Sequence, residues 1–360
     1  MTLEAQWRTL SGRAWPVWGA AIIVATINVF LFAFDRPWTA SDGMRNWGDW
    51  LFTGLGVLDR PDLVAPWLSS GSLLNLGVLL GGALMGIGSM LAFGCNVGGF
   101  FSAISALSLA GFGMMLGLGL GAFLGLRYLL WELAHHPSWS AGGGRVLAAS
   151  SATGRSRQPL VGVAVLAGLI AAPFVYASVG YPRQGVFVLF GAAFGVVFQR
   201  SRFCLVRAFR EPFMTGEASH TRAAALALVL STLGFAILKY TDAKDRSEWV
   251  FAAVGAGALL GGTVFGIGMT LAGGCGAGSI WRAGEGQVKL WAALGCFAIG
   301  ASLTRAALTQ SGAGGKLGIA VFLPSVLGWG GALISVVAVM AAWALAATWN
   351  EDARKFSALD

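Results

Sequence analysis

Charged residues are scarce in this chain of 360 residues, since Asp, Glu, Lys and Arg make up only 11% of it. A soluble globular domain usually contains about 25%, so the composition excludes an ordinary soluble fold. Hydrophobic residues account for 56% of the chain, and several apolar runs reach the roughly 20 residues that a spanning helix needs. We attribute the formal net charge of +8 to basic loops between spans, which usually mark the cytoplasmic side, and not to nucleic-acid binding.

Cysteine and histidine are also rare, with four and three residues respectively. No two cysteines form a CxxC pair, and all four lie in or beside apolar segments, which argues against a disulfide framework and a zinc site. The three histidines fall in predicted loops and offer no pair of haem ligands. The chain also lacks the GxxxxGK[ST] loop that binds nucleotide phosphates. The sequence therefore predicts no metal, no cofactor and no use of ATP.

Glycine, in contrast, is abundant, and it marks an internal repeat. The apolar stretch 81–98 returns as 261–278, with ten of eighteen positions identical and no gap. Chance would give roughly two identities in such a glycine-rich chain. Each copy breaks at a Gly-Cys pair, at Cys95 and at Cys275. A broken apolar helix in corresponding positions of two halves is the best sequence pointer to a transporter's binding site.

The two breaks leave backbone groups without helical partners at membrane depth, which is tolerated only inside protein or along a cavity. The N-terminus of the following half-helix also offers N–H groups to an anion. A lone cysteine is usually a small buried apolar residue, but two at matching breaks favour a functional role. Cys296 lies within a span without such a break, and we interpret it as a packing residue. The glycines expected to allow the breaks are Gly94, Gly98, Gly274 and Gly278.

Charged residues accompany the cysteines of the second half. If the chain around Cys204 is one helix, the arginines at i−4 and i+3 lie on its own face, where cations favour a thiolate and attract anions. The alternative is a cytoplasmic rim of basic side chains. An Arg and a Glu three residues apart follow the second break, and they are either functional or an ion pair that pins the hairpin. The charges expected near the path are Arg200, Arg202, Arg207, Arg282 and Glu285.

The expected fold is an all-α polytopic membrane protein with two pseudo-symmetric halves, broken or re-entrant helices and about nine spans. We place the first half at 1–131, with a loop outside the membrane at 35–70. A basic linker at 132–159 leads to the second half at 160–349, and a charged tail follows at 350–360. The spans are expected at about 16–34, 71–93, 109–131, 160–179, 220–240, 249–272, 289–309 and 329–348, with shorter helices at 97–107, 184–199 and 278–286.

Two motifs of the second half resemble the YeeE/YedE family of sulfur-compound membrane transporters. They are Phe190-Gly-Ala-Ala-Phe-Gly-Val-Val-Phe-Gln-Arg-Ser-Arg-Phe-Cys204, followed by Ala-Phe-Arg at 208–210, and Leu271-Ala-Gly-Gly-Cys275 with Trp281-Arg-Ala-Gly-Glu-Gly-Gln287. The segment 81–98 is similar to the family's other Gly-Cys segment, so the resemblance covers about 71–305.

This resemblance implies an hourglass-like protein of the bacterial inner membrane in which broken helices meet at the centre. It also implies that three cysteines line a narrow central path and pass an anion along by hydrogen bonding through sulfur. The matching positions here are Cys95, Cys204 and Cys275.

The order of the two halves is similar to that of the YedE branch, which is associated with selenium as well as sulfur. The implied substrate is therefore thiosulfate or a related small sulfur or selenium anion. The family's partners include a small cytosolic sulfur-carrier protein, and only ten residues follow Asn350, so we expect any carrier to be a separate chain. Two other classes stay open: a membrane thiol enzyme that loads such a carrier, and a passive small-molecule channel.

Overall fold

The computed structural model describes part of the chain, and every structural statement below concerns that part. It is helical, with two isolated backbone bridges, between Ser108 and Phe322 and between Val254 and Ile319. The described residues are 16–35, 49–50, 52–56, 96–135, 158–250, 254, 256–274, 276–285, 290–291, 304, 306, 310–312, 318–353 and 356.

The helices follow one another without intervening strands in these ranges. The first is α1 (Val17–Phe34). A π-helical segment (Asn96–Ser102) later runs directly into the single turn α2 (Ala103–Ser105). The others are α3 (Ala110–His135), α4 (Gln158–Ser178), α5 (Pro182–Ser201), α6 (Leu205–Met214), α7 (Ser219–Tyr240), α8 (Ala256–Ala272), α9 (Gly276–Gly284) and α10 (Leu323–Ala353).

Several of these helices are long and apolar enough to cross a bilayer. Their outward faces carry large apolar side chains, such as Phe174, Val264 and Ile334, as expected of helices that face lipid. The chain is therefore an all-α polytopic membrane protein, as predicted. In the described part, the five candidate spans are Val17–Phe34, Ala110–Trp131, Pro182–Met214, Ser219–Tyr240 and Leu323–Ala353, with shorter apolar helices at Val163–Ser178 and Gly257–Ala272.

The structure corrects three predicted boundaries. The span expected from 249 begins only at Ala256, because Trp249 has a positive φ of 63° and ends a series of turns. The last helix begins at Leu323, before the expected 329, and bends at Gly328, whose φ is 69°. It continues to Ala353, so the first residues of the expected tail are helical.

The closest helix packing joins α3 to α8. Glycines recur every fourth residue on α3. Gly117, Gly121 and Gly125 let the α8 backbone approach, and Gly113 faces the side chain of Ala258. A Cβ placed on Gly117 would lie 2.8 Å from the Cα of Gly262. Membrane helices commonly pack through small residues in this way. Lipid is as apolar as the helices, so close van der Waals contact, and not the hydrophobic effect, holds them together. Since α3 follows the first repeat copy and α8 belongs to the second, this contact joins the segments around the two copies.

A buried lysine fixes the turn that follows α2. Lys239, at the end of α7, is fully buried, and its Nζ donates to the carbonyl of Ala106 at 2.9 Å. The same ammonium donates to the carbonyls of Arg246 at 3.2 Å and Glu248 at 2.7 Å. Three carbonyl acceptors match the three donors of an ammonium group. The turn after α2 is thereby tied to the loop after α7.

Candidate anion path around Cys204

Cys204 lies between two helices and not within one. Helix α5 ends at Ser201 and α6 begins at Leu205, so Cys204 is the extended residue before the first turn of α6. The expectation that Arg200 and Arg207 share a helical face with it is therefore wrong: the chain turns at Arg202, whose φ of 55° is left-handed. Cys204 is not disulfide-bonded and only 1% exposed, and it occupies a helix N-terminus, where N–H groups favour a negative charge.

Arg207 is bound to carboxylates of its own helix and of the loop that follows it. Its Nε and one terminal nitrogen donate to the two oxygens of Glu211 at 3.0 and 3.1 Å. Glu217 lies 3.7 Å away, and Arg210 also donates to Glu211 at 3.3 Å. Glu211 is buried, so this is a partly buried ion-pair network. The carboxylates of this network offset the positive charge of Arg207, which was expected to act on Cys204.

Arg202 reaches across to the helix that follows the second break. One terminal nitrogen of its guanidinium donates to Oε2 of Glu285 at 2.7 Å, while Gln199 donates to Oε1 at 3.3 Å. The guanidinium carbon also lies 4.4 Å from the centre of the buried Trp281 ring, a cation–π contact. The predicted ion pair at Glu285 therefore forms with Arg202, and Arg282 instead donates to the carbonyl of Gly273 at 3.0 Å.

The second break is a short turn between α8 and α9. Helix α8 ends at Ala272, and Gly273 takes a positive φ of 72° that favours glycine. Gly274 is buried, and a Cβ there would overlap the hydroxyl of Ser279. Gly278 is buried within α9, while Gly98 is buried in the π-helical segment.

Other predicted site residues are not all placed. Cys95, Gly94, Cys275 and Cys296 lie outside the described residues. Arg200 is described and buried, in the last turn of α5. The structure thus brings Arg202 and Glu285 together, while Arg207 joins a separate carboxylate network.

The sequence analysis missed three residues of this region. His220 falls in a predicted loop, but it is the second residue of α7 and is only 4% exposed. Gln199 and Trp281 belong to the two motifs that resemble the family, without a role of their own in the predicted site. A polar Gln in the last turn of an apolar helix, and a Trp beside an Arg inside a glycine-rich membrane hairpin, are the signals that pointed to them.

Comparison with known proteins decides the family. The family model described as sulphur transport matches residues 76–124 and 200–359, which is more than half of the chain. The chain belongs to the sulphur transport family. The second matched range holds the whole region from Cys204 to Glu285, so the geometry above is that of a family member.

Curated relatives of this sulphur transport protein include two named as probable transporter YedE. The YedE of Escherichia coli K12 is 31% identical over 217 residues, which cover 59% of this chain and 52% of that protein. The YedE of Salmonella typhimurium is 33% identical over 215 residues, with the same coverage. The thiosulfate transporter TsuA of Escherichia coli K12 is 34% identical over 119 residues, covering 32% of each chain.

These alignments span about half the length of the YedE proteins and about a third of TsuA. No solved structure matches the chain.

Proposed function

We propose that this protein carries thiosulfate, or a related small sulfur- or selenium-containing anion, across the bacterial inner membrane. The thiols of Cys95, Cys204 and Cys275 contact the anion in turn. A neutral thiol is a weak donor and a weak acceptor. A series of such contacts suits conduction, because each site must bind well enough to admit the anion and weakly enough to release it.

The observation that carries this proposal is the bond between Arg202 and Glu285. Arg202 is two residues before Cys204, and Glu285 follows α9, which begins directly after Cys275. The 2.7 Å ion pair therefore joins the two cysteine-bearing breaks of the second half. This supports one shared path. Among the described residues, the guanidinium of Arg282 is bound to a backbone carbonyl and not to a carboxylate, so its charge raises the local concentration of anions.

The relatives support the choice of substrate class. TsuA is named as a thiosulfate transporter, and the YedE proteins as probable transporters. We infer that a cytosolic sulfur-carrier protein receives the sulfur compound. Consumption of the anion in the cytosol keeps its concentration there low, so the gradient drives net uptake without ATP.

The test is uptake by cells of a transport-deficient bacterial host. We expect the protein to support uptake of labelled thiosulfate, and growth on it as the sulfur source, while a Cys95→Ala, Cys204→Ala, Cys275→Ala triple variant of equal abundance does not. Parallel assays with sulfite, selenite and selenate define the substrate. Uptake by the triple variant at the wild-type rate would contradict the proposal. A stable persulfide on one cysteine, found by mass spectrometry after exposure to thiosulfate, would favour the thiol enzyme instead.

A further inference from the structure

The Arg202–Glu285 bond has the form of an anion site occupied by the protein's own carboxylate. Each oxygen of the Glu285 carboxylate accepts one hydrogen bond from the same chain segment. Arg202 donates to Oε2 at 2.7 Å and Gln199 donates to Oε1 at 3.3 Å. Proteins bind small oxyanions in this way, with several donors on different oxygens. A sulfonate or sulfate group presents oxygens at a similar spacing.

The position of Arg202 is set by a strained backbone. A non-glycine residue in the left-handed region costs about 1 kcal/mol or more, and Arg202 adopts it as the residue that ends α5. The hydroxyl of Ser201 supports this turn by donating to the carbonyl of Val197 at 2.7 Å and accepting from the N–H of Phe203 at 3.1 Å. Strain of this kind is retained where the surrounding structure fixes a side chain for function.

Trp281 supplies a buried donor without a partner. Its side chain is 1% exposed, and its indole N–H has no hydrogen-bond acceptor among the described residues. The same ring lies 4.4 Å from the guanidinium of Arg202 and 5.1 Å from that of Arg282. A buried N–H without an acceptor is costly. The planar carboxylate of Glu285 does not satisfy it, whereas a tetrahedral oxyanion bound to Arg202 has further oxygens to offer it.

The charges around this ring are unbalanced. Two guanidinium groups contact Trp281. In the described part of the chain, the guanidinium of Arg202 is bound to the carboxylate of Glu285, while that of Arg282 donates to the carbonyl of Gly273. The side chain of Arg202 is 48% exposed and that of Glu285 is 21% exposed. The pair is therefore accessible, in contrast to the covered thiol of Cys204.

We propose that Gln199, Arg202 and Trp281 form a binding site for the oxyanion end of the substrate, and that Glu285 is the internal anion that the substrate displaces. This proposal rests on the proposed function and adds to it a binding position for the anion between Cys204 and the second break. The carboxylate closes the site when no substrate is present. Arrival of an anion releases it, and repulsion between the two anions prevents tight trapping.

The test measures anion binding by calorimetry on the purified full-length protein in nanodiscs, with sodium thiosulfate and sodium sulfate as probes. Glu285→Gln keeps the shape of the side chain but removes the competing charge, so we expect it to bind both anions about tenfold more tightly than the wild type. The double variant Arg202→Gln, Glu285→Gln keeps a neutral hydrogen-bonded pair and should lose that gain. Asp242→Asn breaks the exposed pair with Arg246 and should change nothing.

The anion affinity of a Trp281→Phe variant provides a second, independent test. It removes the indole N–H and retains a ring for Arg202, so we expect binding about tenfold weaker, as for loss of one hydrogen bond to a charged group. Unchanged binding in Trp281→Phe would overturn the site. Equal or weaker binding in a folded Glu285→Gln protein would also overturn it.

These outcomes separate the site from the proposed function. A wild type that binds and transports thiosulfate, with a Glu285→Gln variant no tighter, rejects the site and leaves the transport proposal standing. A wild type that does not transport thiosulfate rejects the transport proposal. Tighter sulfate binding by Glu285→Gln would still support the anion site in that case.

Discussion

Gly121→Leu should prevent α3 and α8 from packing. A Cβ on Gly121 would overlap the carbonyl oxygen of Thr263 and lie 2.7 Å from the Cα of Gly266. Both obstacles are backbone atoms, which cannot move aside as a flexible side chain can, so α3 and α8 must separate along their length. Overpacking of a tight core costs about 3 kcal/mol or more in the severe cases, and each further atom of the leucine adds to it.

The measurement is the yield of monodisperse protein after detergent extraction, together with its midpoint of thermal unfolding. We expect Gly121→Leu to lose most of the extractable protein. Gly119→Leu is the matched control: it lies on the same helix, and a Cβ there meets only a ring carbon of Phe209, at 4.0 Å. Equal yield and stability of the two variants would show that α3 and α8 do not pack through this glycine row.

Lys239→Met should destabilise the turn that follows α2. Methionine has a similar length but no donor, so it leaves the carbonyls of Ala106, Arg246 and Glu248 without the ammonium that now binds them. Each buried acceptor left unsatisfied costs about 1–3 kcal/mol. We expect a loss of about 3 kcal/mol in the free energy of unfolding, measured in detergent with a chemical denaturant.

The control for this change is Arg246→Met. Its guanidinium forms an exposed ion pair with Asp242, and such pairs contribute at most about 1 kcal/mol. A Lys239→Met protein as stable as the Arg246→Met protein would mean that water or another donor satisfies these carbonyls. It would then exclude a structural role for the buried ammonium.

The fold class followed from the sequence because it depends on length and apolarity, which are local properties. The span from Val17 and the span from Ser219 began within a residue of their predicted starts. The start of α8 did not, because the turns before it depend on the distant donor Lys239 and on a bridge between Val254 and Ile319. Hydropathy alone carries no signal for such tertiary contacts.

In the candidate site, too, local properties were predictable from the sequence and tertiary contacts were not. The charged residues of the second half were identifiable as candidates, since charge is costly at membrane depth. Their partners were not: one of the two interpretations left open paired Glu285 with Arg282 in its own hairpin, and the structure pairs it with Arg202, 83 positions away. That outcome depends on a single left-handed residue between α5 and α6. A helical-wheel argument assumes a continuous helix and fails where the chain turns.

The most direct test of the central claim is flux of labelled thiosulfate into proteoliposomes that contain only the purified protein. We predict saturable uptake by the wild type and by Cys296→Ala, whose thiol is expected to serve packing alone. Cys204→Ala should reduce uptake at least about tenfold, as for a lost hydrogen bond to a charged group, without loss of folded protein. Wild-type flux through Cys204→Ala would contradict a path that passes the anion from thiol to thiol.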